Sequence, residues 1–186
     1  MGDKKLDLKY LIVLFVAIIM TFVFHEFGHW LFGTLTGHKM IMTLNHASPV
    51  DTEFTSNLAE YFMKSGGPLF SILQAIIFLF AIKHKTDNYY LYPFVFAPIL
   101  MRIITIFLTL LTPQDEAQIS IFLGLGTWTI PLIVALFLLF VGYLSNKQLN
   151  INWKFNVVNG LIGGIYIFIV LFIDQRLQSI LNIKVN

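Results

Sequence analysis

Five apolar runs divide the chain, at about 10–32, 65–82, 90–111, 121–144 and 157–177, with short polar stretches between them. Each is close to the roughly 20 residues a helix needs to cross the hydrocarbon core of a bilayer. The pattern predicts an all-α polytopic membrane protein of about five transmembrane helices. The longest piece outside the runs, about 33–64, is too small for an appended soluble domain, and no repeat, low-complexity tract or Pro/Ser linker interrupts the chain. One membrane-embedded domain over 1–186 is the expected organisation. Within 33–64, the β-prone stretch Met40 to His46 predicts a short strand after the first span. Leu149 to Asn156, with Trp153 and Lys154, reads as an interfacial segment.

Composition agrees with this pattern. Hydrophobic residues make up 57% of the chain and charged residues 12%, with 19 Phe, which a soluble fold of 186 residues could not bury. The net charge of +2 forms no basic stripe, so nucleic acid is not an expected partner. The lipid bilayer is. Lys4, Lys5 and Lys9 precede an apolar run too long for a signal-peptide core and followed by no A-x-A-like site, so it reads as a retained span. With the N-terminus cytoplasmic, seven Lys lie inside and four Lys or Arg outside, which favours that orientation. The expected location is a prokaryotic plasma membrane.

With no cysteine in the chain, His, Asp and Glu remain as the strong metal ligands. His25-Glu26-Phe27-Gly28-His29 places two imidazoles and a carboxylate inside the first apolar run, where ionisable groups are costly and mark function. Positions four apart share a helix face, so His25 and His29 can hold one ion, and Glu26 can reach a water beside it as general base. The set predicts one Zn2+ per chain and zinc-dependent hydrolysis, with Glu26 catalytic. Catalytic zinc requires a third protein ligand and an open position. Thr112-Pro113-Gln114-Asp115-Glu116 follows the third run on the matching membrane face; Asp115 is the first choice of ligand and Glu116 the second. Asp51, Glu53 and Glu60 compete less well because their loop would have to fold back. Asp174 reads as a structural partner of Arg176, and His38 and His46 as exposed loop histidines. Arg102, about 20 Å along an ideal helix from Asp115, reads as a structural residue bonding backbone near Pro98 or reaching water. Gly160, Gly163 and Gly164 suggest a close helix contact.

His25-Glu26-Phe27-Gly28-His29 on a first spanning helix, followed by Gly67-Pro68-Leu69-Phe70-Ser71 opening the second, resembles the site-2 protease family of intramembrane zinc metalloproteases, in a minimal form without PDZ or CBS domains. The likeness covers about residues 20–120; the last two spans would be peripheral. It implies a peptide bond in or near a transmembrane segment of a membrane protein as substrate, and a separate chain as any regulator. It further implies that Gly67 and Ser71 contact substrate or line its cleft, and that the strand in Met40 to His46 pairs with an extended substrate. The family's third ligand is an aspartate in a proline-containing segment; here the proline stands closer to Asp115 than in that pattern. Two other classes are a non-catalytic membrane chaperone or receptor retaining the metal site, and a metal transporter. Neither fits well, because no inverted repeat is visible and Glu26 adds nothing to a purely structural zinc.

Overall fold

The computed structural model describes residues 4–50, 53–84 and 88–180. Among these residues are six α-helices and one β-hairpin: α1 (Leu8–Leu35), β1 (Met40–Met42), β2 (Ala47–Pro49), α2 (Asn57–His84), α3 (Pro93–Thr109, preceded by a 3-10 turn Tyr89–Leu91), α4 (Asp115–Phe122), α5 (Thr129–Leu149) and α6 (Trp153–Ile180). Five of the helical segments, all but α4, are long and apolar enough to cross a membrane. The protein is a membrane-spanning helical protein with one small two-stranded sheet.

Local chemistry sets the ends. The Asp7 carboxylate accepts the Tyr10 N–H at 2.7 Å and so caps α1. Gly37, at φ 86°, turns the chain out of α1 in a conformation that a side chain would strain. Helix α2 begins eight residues before the apolar run, because Ser56 Oγ accepts the Ala59 N–H and residues 57–64 are helix formers too polar to register as a span. The fourth span starts at Thr129 rather than near 121. Asp115 to Phe122 instead forms the separate helix α4, which Gly124 and Gly126 end with positive φ. The predicted strand is one arm of a hairpin: β1 pairs antiparallel with β2, Met42 opposite Ala47 and Met40 opposite Pro49.

Helix α1 occupies the centre, packing against α2, α3, α6 and both strands. Its Tyr10, Leu14, Ile18 and Phe22 are buried with Leu79 and Ile82 of α2, Val95 and Ile99 of α3, Leu138 of α5 and Val170 of α6. The outer surfaces of α5 and α6 are left apolar and exposed, as at Leu136, Phe140, Leu161 and Phe168, suited to lipid. The closest approach is between α1 and α2, where a Cβ on Gly28 would strike the Gly66 carbonyl and a Cβ on Gly66 the Gly28 carbonyl. Backbone therefore lies on backbone, which only glycine permits. Of the three glycines in α6, a Cβ would be crowded only at Gly163, 2.5 Å from Leu100; Gly164 faces open space.

Candidate metal centre

The glycine contact brings one face of α2 against the two histidines of α1. Met63, Gly67 and Ser71 are spaced four apart and line that face. His25 Nδ1 lies 3.0 Å from Ser71 Oγ, and that hydroxyl donates its single proton to the Gly67 carbonyl at 3.1 Å. The imidazole must therefore be the donor. His29 Nδ1 lies 2.9 Å from the Met63 carbonyl, which can only accept. Both rings carry their proton on Nδ1, so both Nε2 atoms present a lone pair. At Gly67 itself a Cβ would fall on both of those nitrogens.

The two Nε2 atoms are 3.2 Å apart, and Asp115 Oδ2 lies 3.3 Å from that of His25 and 3.2 Å from that of His29. Three acceptors at this distance repel one another unless positive charge sits among them. Their spacing matches the edge of about 3.3 Å expected for a tetrahedron with zinc–ligand distances of about 2.0–2.1 Å. His25, His29 and Asp115 are thus a group that could hold one metal ion. Both histidines are buried, and Asp115 has 30% of its side chain exposed.

Asp115 reaches this point because α3 stops at Thr109 and Pro113 turns the chain back into α4, whose first turn carries Asp115 and Glu116. Glu116 faces away from the histidines. It forms an ion pair with Arg102 of α3, both side chains being almost wholly buried. An ideal-helix distance from Arg102 to Asp115 does not apply across that reversal, and the partner of Arg102 is a carboxylate rather than the backbone near Pro98. Burial pushes the Glu116 carboxyl upward, with the guanidinium opposing.

Glu26 is 5% exposed and forms no ion pair among the described residues. It opens, with His25, His29 and Asp115, onto a cavity of about 430 Å³ walled by Phe22, Met101, Thr105, Ile167 and Leu171 and by the hairpin residues Asn45, His46 and Ala47. Gly67 and Ser71 are not in that wall; Gly67 packs against the Nε2 atoms of both histidines and Ser71 meets Nδ1 of His25. Ile167 and Leu171 belong to α6, so the last span is part of the site and not peripheral.

The remaining candidates lie elsewhere. Glu60 pairs with Lys64, which also donates to Gln118 at 2.6 Å. Glu53 is exposed, and Asp51 lies outside the described residues. His38 is buried, donating to Thr36 Oγ1 and accepting the Thr55 N–H, and so ties the loop before α2 to the end of α1. His46 is half-buried, lines the cavity, and keeps a buried Nε2 with no partner among the described residues; burial holds it below the ordinary imidazole value. Neither histidine is the exposed loop residue expected. Asp174 is buried and does not meet Arg176, whose guanidinium lies over the Phe172 ring. Residues two apart on a helix point to different sides. The cavity roles of His46 and α6 left no mark in the sequence, because both depend on contacts between distant segments.

No protein-family model matches the chain, and neither does any curated protein or any solved structure.

Proposed function

We propose that the protein is an intramembrane zinc-dependent endopeptidase that hydrolyses a peptide bond in or near a transmembrane segment of another membrane protein. The observation that carries this reading is the pair of Nδ1-protonated histidines whose free lone pairs meet the Asp115 carboxylate at tetrahedral-edge spacing, with a second carboxylate, Glu26, on the same cavity. A structural site would need no such extra acid. A bound zinc ion would polarise a peptide carbonyl and make a coordinated water acidic. The role of Glu26 is to take a proton from the attacking water on its carboxylate and pass it to the leaving amine. Ser71 and the Met63 carbonyl keep both rings in the ligating tautomer.

The cavity is walled by polar and apolar residues in similar measure and lies within the helical bundle, roughly 9–15 Å inside the end of α1 by the rise per residue. A helical substrate would have to unwind there to expose a carbonyl. The hairpin offers a place for the unwound strand. Thr43 donates to the His46 carbonyl and Val50 to the Lys39 carbonyl, so the alternation of the antiparallel ladder turns the Ala47 N–H and C=O away from β1. Ala47 lines the cavity. The pairing edge is therefore β2, not the Met40 to His46 segment itself, and Pro49 supplies no further donor.

The test is Glu26→Gln. It should hold zinc and fold like the wild type while cleavage of a membrane-embedded peptide falls by about 10²–10⁴-fold. Cleavage within a few-fold of wild type would end the peptidase reading and leave a non-catalytic metal site.

A further inference from the structure

The hairpin that lines the metal cavity has strands of three residues each, and an isolated hairpin of that length is not stable by itself. Its turn is Thr43-Leu44-Asn45-His46, closed by the Thr43 N–H to the His46 carbonyl at 2.8 Å. The Leu44 N–H has no partner within the hairpin. It donates instead to Asp174 Oδ1 of α6 at 2.9 Å, across 130 residues of sequence. Gln178, one turn further along α6, donates to Asp174 Oδ2 at 2.6 Å and reaches Thr43 Oγ1 at 3.3 Å.

Asp174 is 5% exposed and has no cationic partner among the described residues. A carboxylate in such a place is costly unless its acceptor positions are filled, and here a backbone N–H and a side-chain amide fill them. Its bond to another element reaches the hairpin turn, whose Asn45 and His46, with Ala47 after them, line the metal cavity. A second cavity of about 340 Å³ beside Asp174 shares Asn45 and Leu171 with the metal cavity, so the turn held by Asp174 stands between the metal cavity and the outer face of α6.

We propose that Asp174 is a positioning residue that seats the hairpin so that the Ala47 edge faces the metal cavity, and that α6 thereby sets how an extended peptide is held. This rests on the peptidase reading. Asp174 acts through the Leu44 N–H and touches neither metal nor the reacting bond.

The test uses the full-length protein in bilayer nanodiscs, with Asp174→Ala and Asp174→Asn. The carboxamide oxygen can still accept the Leu44 N–H, and Gln178 can turn its amide to suit, so Asn is the conservative rescue. Exchange of the amides in 39–50 should speed up by about tenfold in Asp174→Ala, the change expected from one lost hydrogen bond, and stay within about threefold of wild type in Asp174→Asn, with zinc content unchanged in both. In a Glu26→Gln background, which binds without cutting, affinity for a 20-residue Leu/Ala transmembrane peptide with a central Gly-Pro should fall about tenfold with Ala and recover with Asn. Unchanged exchange and binding in Asp174→Ala would overturn the proposal. So would loss of zinc and fold in both variants, which would mark Asp174 as a general structural group. If the Glu26→Gln protein binds no peptide at all, the peptidase reading fails, while the exchange data still decide whether Asp174 seats the hairpin.

Discussion

Arg102 of α3 and Glu116 of α4 form an ion pair with both side chains almost wholly buried, one residue from Asp115. This pair ties the first turn of α4, which otherwise packs on α2 and α5, to α3 beside the carboxylate that meets the two histidines. Removing one partner of a buried pair typically costs about 3–5 kcal/mol, because the other charge is left uncompensated. Arg102→Met is therefore expected to lower the unfolding midpoint in detergent and to weaken zinc binding without touching a ligand. Glu116→Gln, which keeps the shape, should do less of both. Full zinc affinity in Arg102→Met would show that α4 is positioned by other contacts.

Zinc content separates the ligands from their supports. His25→Ala, His29→Ala and Asp115→Ala should each lose most of the roughly one equivalent of zinc expected for a three-ligand site with an open position. Ser71→Ala removes the acceptor for His25 Nδ1 and should weaken zinc by about 10–100-fold. Full zinc retention in Asp115→Ala with loss in Glu116→Ala would reassign the third ligand.

Gly67→Ala would place a methyl group on the Nε2 atoms of both histidines. Over-packing of a tight core costs about 1–3 kcal/mol, and here the atoms that must move are those of the candidate metal ligands. Zinc affinity should fall more than thermal stability does. Gly164→Ala, at a position with open space, should change neither.

Orientation follows from the Lys and Arg distribution, and a chain without cysteine makes it straightforward to measure. Lys147→Cys, exposed at the end of α5, should react with an impermeant maleimide only from the cytoplasmic side. Thr112→Cys, exposed between α3 and α4, should react only from outside, which would put the metal end of α1 towards the outer face. The reverse pattern would invert the protein and place the metal end towards the cytoplasm.

Asp7 caps α1 and accepts from the hydroxyls of Tyr90 and Tyr89 as well as from the Tyr10 N–H. These bonds hold its carboxyl below the ordinary value of 3.8. A group with a depressed folded-state value contributes stability above its unfolded value and loses it as pH falls through the folded one. The stability difference between wild type and Asp7→Ala should accordingly be constant above about pH 5 and shrink below pH 4. A difference that grows on acidification would contradict this role for Asp7.

The sequence alone determined the membrane class, the number of spans and the first two candidate ligands, because each of these is a local property. Twenty apolar residues demand a bilayer wherever they fold, and two histidines four apart share a helix face in any context. It placed Asp115 and Glu116 in one segment and ranked Asp115 first, but what separates the two is how α4 turns and that Arg102 claims Glu116, neither of which is a local property. The start of α2 at Asn57 was hidden because polar helix formers carry no hydropathy signal, and the fourth span was drawn too early because the apolar end of α4 and the linker Leu123 to Trp128 run into it. The supports of the site left no trace in the spacing of residues. Ser71 and Met63 reach the histidines only because Gly28 and Gly66 let two backbones touch; Asp174 reaches Leu44 only because α6 returns to the hairpin. Those contacts join residues 34 to 130 positions apart, and only the packed helices bring them together.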